Sequence, residues 1–262
     1  MLRPAAAGYG RVRRMIVRTG LAAAGILLFL TAGVLIYQAG IRQAPQALKL
    51  ATASTHAGEM KIITLSDGSR ITLNNQTSIK YPEEFNQNTR EVFLTGEAFF
   101  EVKHDANKPF RVHTDKLAVQ VLGTSFNIQA YPDESGLDVA VASGKVGVFA
   151  NGARDGKTYM LLPGQQLSYN RKNLAFSPST IATAAIIAWQ KGTLVFKNEK
   201  LEAIARRLER FYGVKIRFKN KKLMATELSL KANNLSLESV MKALGSAGEF
   251  NYSIKNKQVL IW

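Results

Sequence analysis

Residues 19–38, TGLAAAGILLFLTAGVLIYQ, carry no charged side chain. At a rise of about 1.5 Å per residue such a run crosses roughly 30 Å of hydrocarbon, so it predicts a single transmembrane helix. Arg3, Arg11, Arg13, Arg14 and Arg18 precede it, and only Arg42 and Lys49 follow closely. That asymmetry places the N-terminus in the cytoplasm and the bulk of the chain across the membrane, with Tyr37 at the far interface. A cleavable signal peptide would have a shorter apolar region of about 7–15 residues and a small-residue cleavage site after it. YQAGIRQAPQA offers no such site, which favours an uncleaved anchor.

Residues 1–18 then read as a short basic cytoplasmic tail. Residues 39–59 are rich in Ala, Gln, Thr and Ser, too polar and too weakly periodic for a core element, and read as a linker. From 60 to 176 the pattern is that of short strands. KIITLSDGSRITLN sets apolar-rich runs on either side of Asp67-Gly68, a dipeptide that supplies the positive φ of a tight hairpin. REVFLTGEAFFEV, PFRVHT, LAVQVLGTSFNIQAY, LDVAVASGKVGVF and MLLPGQQLSYN continue it, rich in Val, Phe, Leu and Tyr and bounded by Gly, Pro, Asn or Asp. An all-β domain follows, as a sandwich, barrel or solenoid.

Residues 177–188, SPSTIATAAIIA, form a small-residue connector with room for a short helical turn. From 189 to 262 the period changes. LVFKN precedes KLEAIARRLERFY, in which Leu201, Ile204, Ala205, Leu208, Phe211 and Tyr212 share one helical face, and VKIRF alternates as a strand. A second copy lies 36 residues on: Asn198 matches Asn234, Leu201 Leu237, Glu202 Glu238, Ile204 Val240, Leu208 Leu244, and Lys219-Asn220 Lys255-Asn256. Two βαβ units are encoded, most simply as two helices on one small sheet ending with QVLIW. The expected fold is therefore a single transmembrane helix, an all-β domain and a small α+β domain of two βαβ repeats.

Composition changes this picture little: 46% hydrophobic and 21% charged residues suit a folded chain, and zero cysteines remove disulfides and thiolate chemistry. The net charge of +16 is the more informative figure. It splits into +5 over residues 1–40, +2 over 41–188 and +9 over 189–262, so the charge is concentrated at the two ends. If the exterior lies across the membrane it meets no nucleic acid, and its basic face suits an acidic protein or an anionic envelope surface.

Catalytic and metal chemistry find little support. His56, His104 and His113 have no partner at ligand spacing, although His104-Asp105 and His113 form a loose cluster. Gly144-Lys145 lacks both the earlier glycine and the following Ser/Thr of a phosphate loop. Glu83-Glu84 and Glu97 with Glu101 are carboxylate pairs that read as solvated surface, and no nucleophile-elbow motif is present. No enzyme activity, cofactor or metal is expected. Partner binding falls instead on Arg206, Arg207 and Arg210, opposite the apolar helix stripe, and on strand edges carrying Val214, Ile216 and Phe218 or Leu228 and Leu230.

The strings LSDGSRITLN, LTGEAFFEV, PFRVHT, VQVLGTSFNIQAY, VASGKVGV and LLPGQQ, in this order, resemble the FecR family of bacterial transmembrane sigma-factor regulators, in its Bacteroidetes-type form. LVFKNEKLEAIARRLERFYGVKI and its repeat resemble the short N-terminal domain of secretins and TonB-dependent receptors, found after the β-domain in such proteins. The resemblance implies an inner-membrane transducer with a periplasmic exterior. A TonB-dependent outer-membrane receptor, through its signalling domain, contacts the C-terminal region, and the message passes through the bilayer to an extracytoplasmic-function sigma factor controlling an uptake system, for iron or glycan. The family places a helical cytoplasmic region of several tens of residues before the span. Here about 18 residues, including Pro4, Gly8 and Gly10, precede Thr19, so the anti-sigma region reads as truncated. The rival reading is a tethered structural or assembly module that binds an envelope partner.

Overall fold

The structure, a computed structural model, describes residues 27–35, 49–86, 88–151 and 157–262. Of the expected span, residues 27–35 form a helix, α1, and the remainder lies outside the described residues, as does the tail at 1–18. Among the described residues no helix is long and apolar enough to cross a membrane.

Residues 49–262 form one compact unit. Its first part is built from β1 (Leu50–Ser54), β2 (Lys61–Thr64), β3 (Arg70–Leu73), β4 (Ser78–Pro82), β5 (Arg90–Glu101), β6 (Phe110–His113), β7 (Leu117–Val121), β8 (Ser125–Ala130), β9 (Gly136–Ser143), β10 (Val146–Ala150), β11 (Thr158–Leu161), β12 (Gln165–Asn170) and β13 (Phe176–Thr180). The long strand β5 belongs to two layers. Its first half pairs with β4 and β6, and its second half with β3 and β8. One layer thus runs β1-β4-β5-β6-β7-β10-β11 and the other β2-β3-β5-β8-β9-β12-β13. The switch falls at Gly96, whose φ of 110° suits glycine, and a Cβ there would come within 2.8 Å of Thr77 Cα. Between the layers, alternate residues such as Ile71, Val92, Phe110, Ile128, Val139 and Leu167 make one core, in which Phe100 stacks on Phe126 with centroids 4.9 Å apart.

Two expectations about boundaries need correction. The stretch 39–59 is not all linker: β1 pairs along its length with β4, Ala53 is buried, and the Thr77 amide donates to Thr55 Oγ1 at 3.0 Å. Small Ala, Thr and Ser side chains give almost no apolar contrast, so only the ladder reveals the strand. The connector likewise begins late, because Phe176–Thr180 is a strand paired with β12, tolerating Pro178 as an edge strand does. A short helix, α2 (Thr183–Ile186), then buries Ile186 against Phe99 and Ala140.

The C-terminal module follows as β14 (Thr193–Lys200), α3 (Leu201–Tyr212), β15 (Lys215–Phe218), β16 (Glu227–Asn233), α4 (Leu237–Gly248), β17 (Tyr252–Lys255) and β18 (Gln258–Ile261). The repeat is exact in length: both helices have 12 residues, and Asn198 and Asn234 turn the chain at φ 48° and 47°. The two helices do not lie on one sheet, however. β14 pairs antiparallel with β16, while β18 lies between β15, to which it is parallel, and β17. Each helix is entered from one sheet and left into the other, so α3 touches β14 and β15, and α4 touches β16 and β17. That arrangement covers each helix on two sides with few strands. QVLIW, the last strand as expected, lies at a sheet centre.

Candidate functional site

The basic face of α3 is turned toward the β-domain. Arg210 is 5% exposed. Its Nη1 donates to both carboxylate oxygens of Asp133, at 3.3 and 3.1 Å, its Nη2 donates to Glu134, and its guanidinium lies 3.9 Å from the Tyr131 ring centroid. The Tyr131 hydroxyl is pinned in turn to the Asn75 carbonyl at 2.8 Å. Beside this clamp the Gly58 amide donates to the Arg210 carbonyl at 2.8 Å. Arg206 pairs with Glu202 at 2.7 Å, and Arg207 pairs with Glu199 at 2.6 Å while lying over the Phe196 ring.

These contacts correct the expectation of an outward basic patch, since all three arginines are held by carboxylates of the chain itself. The apolar candidates lie on or beside β15 and β16, which are edge strands of their sheets as expected, but their side chains turn inward. Val214 and Leu228 are buried in the module core, and Ile216, Phe218 and Leu230 are half-buried against it. β15 is an edge strand, but its Ile216 amide is capped by Glu209 Oε1 at 2.7 Å. His113 pairs with Glu91 at 3.3 Å, and among the described residues no cluster of His, Asp and Glu is placed to hold a metal.

Between the β-domain and α3 lies a cleft of about 930 Å³. Its floor is the outer face of β5, β8, β9, β12 and β13, where strand pairing aligns side chains in two rows. One row runs Glu97, Gln129, Asp138, Ser168 and Ser177, the other Phe99, Asn127, Ala140, Gln166 and Ser179. Alternation sends their sequence neighbours into the core and these outward, where α2 covers Phe99 and Ala140 and α3 and β14 close over the polar positions. Glu97, expected at the surface, is buried and accepts from Asn74 Nδ2 at 2.8 Å and Asn127 Nδ2 at 2.9 Å. Asn127 Oδ1 accepts the Trp189 indole N–H at 3.1 Å, which ties the connector to the floor.

Burial pushes both Glu97 and Asp138 above the ordinary carboxylate range, against the amide bonds to Glu97 and the bonds from Ser168 and Gln166 to Asp138. A raised folded-state value means stability that is full below the unfolded value and is lost as pH rises through the folded one. Both bonds to Asp138 fall on Oδ1, so asparagine can keep them. Asp138→Asn is therefore expected to be more stable than the parent at neutral pH and to flatten the loss of stability above pH 3.8, the ordinary value. Denaturant unfolding at several pH values measures this, and a less stable variant at neutral pH would contradict it.

Two family models match the chain: FecR protein over residues 51–147 and FecR, C-terminal over residues 193–261. Two crystal structures of an anti-sigma factor assignment from Parabacteroides distasonis ATCC 8503 superpose with TM-scores of 0.76 and 0.77, each at 32% identity. They cover 81% and 82% of this chain, which spans 98% and 99% of theirs. The chain belongs to the FecR family. As a FecR protein it is a sigma-factor regulator and not an enzyme. No curated protein matches significantly. In this FecR protein β12, β13, α2 and Trp189, which fall between the two matched segments, supply one side of the cleft.

Proposed function

We propose that this FecR protein is a single-pass inner-membrane transducer, with its N-terminus cytoplasmic, residues 19–38 in the bilayer and residues 49–262 in the periplasm. Its C-terminal module receives the signalling domain of a TonB-dependent outer-membrane receptor. The state of that contact is relayed to an extracytoplasmic-function sigma factor that controls an uptake system. The observation that carries the reading is the order of parts: an apolar run with arginines on one side only, then the FecR match, then the FecR C-terminal match. The Arg210 clamp supplies a physical link, because movement of the module is felt at Asp133 and Glu134 of the β-domain.

The rival reading of an envelope tether draws in part on the basic C-terminal face. Arg206, Arg207 and Arg210 are paired within the chain, which removes part of that face, while Lys215, Arg217, Lys219, Lys221 and Lys222 stay exposed. Deleting residues 189–262 at the native locus is expected to abolish induction of the target genes by the transported substrate, with the truncated protein still present in the membrane fraction. Induction unchanged by that deletion would overturn the relay, and cross-linking of the tagged full chain tests the sigma-factor contact directly.

A further inference from the structure

We propose that the cleft between the β-domain and α3 is a binding site for an uncharged, polyhydroxylated ligand of oligosaccharide size. At about 930 Å³ it lies within the range of small-molecule sites. Its floor is not the apolar surface that a simple domain junction would bury. It presents carboxylate, amide and hydroxyl groups in register across five strands, with Asp138 surrounded by protein yet still reached through the cleft.

Charge selects the ligand class. The cleft is lined by four acids, Glu97, Glu134, Asp138 and Glu199, and four bases, Lys197, Arg206, Arg207 and Arg210. The three arginines are already paired with carboxylates, so an anion would have to displace them, and a cation would be set against them. Hydroxyl groups bring no charge and both donate and accept. They suit a lining where Asp138 Oδ2, which accepts no bond among the described residues, stands beside amide and hydroxyl donors on the same floor. Trp189 adds an aromatic wall whose ring is fixed by its bond to Asn127, a surface for the C–H face of a sugar ring. A floor built to bond hydroxyls discriminates against analogues that lack them.

The site does not depend on the relay. Absence of sugar binding would leave the relay standing, and failure of the relay would leave the chemistry of the cleft unchanged. The test uses the full-length chain in phospholipid nanodiscs on a printed array of neutral and charged oligosaccharides, followed by calorimetric titration of the strongest neutral binder. Saturable binding to neutral oligosaccharides is expected. Ser179→Trp, which plants a bulky ring at an exposed floor position, is expected to abolish it, and Asp138→Ala to weaken it at least about tenfold. Should the tryptophan variant melt well below the parent, Asp138→Ala decides. The proposal is overturned if no neutral oligosaccharide binds, if only charged ones bind, or if affinity is unchanged in the properly folded variants.

Discussion

Replacing Arg90 by alanine is expected to destabilise the β-domain by about 3–5 kcal/mol, a large part of the roughly 5–15 kcal/mol that holds a domain folded. Arg90 is 1% exposed at the start of the strand shared by the two layers. Its Nε donates to the Lys108 carbonyl at 2.8 Å, and Nη1 donates to Asp67 at 2.7 Å and to the Lys103 carbonyl at 2.8 Å. The guanidinium also lies over the Phe110 ring. Truncation leaves Asp67 without its cation and the partly buried Lys103 and Lys108 carbonyls without that donor, while the cavity removes packing from the core. Burial pushes the Asp67 carboxyl up, but bonds from Ser69 and Arg90 outweigh it and hold the group below its ordinary value. That stability is present above the unfolded value of 3.8 and is lost as pH falls through the folded one. The Arg90→Ala variant should therefore lose less stability in acid than the parent. Lysine is no substitute, because an ammonium cannot match the planar fork. Denaturant midpoints measure the effect. Arg90→Met with Asp67→Asn should recover part of the loss, and a single Arg90→Ala costing under about 1 kcal/mol would show the network to be incidental.

Asp67 also shows where reading the sequence stops. Its hairpin was legible, because Asp-Gly between apolar runs has one common solution, and β2 and β3 pair across it with Gly68 at φ 86°. Its bond to Arg90, 23 residues away, was not, since nothing local marks which buried cation will arrive. The repeat of 36 was legible to the residue because it is written in helix faces and turn asparagines. Its division into two sheets was not, because periodicity sets what a strand buries and not which strand it pairs with. The same limit explains the cleft. Alternation in β8, β9 and β12 identifies outward polar positions, and by themselves these read as solvated. Only the docking of α3 turns them into a floor. The helical pattern likewise put Arg206, Arg207 and Arg210 on the right face, but the acids meeting Arg210 lie in a loop 76 and 77 residues earlier.

Arg210→Ala is expected to release the C-terminal module from the β-domain at a cost of about 2 kcal/mol. The figure is below that for Arg90 because the partners differ in exposure: the Asp133 side chain is 54% exposed and regains water when the arginine leaves, whereas Glu134 is 17% exposed and does not. Glu134→Gln should accordingly weaken the junction more than Asp133→Asn. Arg210→Lys should not rescue it, because one ammonium cannot serve both acids and lie flat over Tyr131. The remaining ties, Gly58 to the Arg210 carbonyl, Trp189 to Asn127, and Ile186 against Phe99, keep the module tethered, so each part should stay folded. The expected signature is unfolding in two steps where the parent unfolds in one, with faster proteolytic cutting in the connector between α2 and β14. If the relay passes through this clamp, the variant also alters basal expression of the target genes without any receptor signal. Retention of a single transition with parental protease resistance would mean that the clamp contributes nothing measurable, and that the junction is held by the remaining ties.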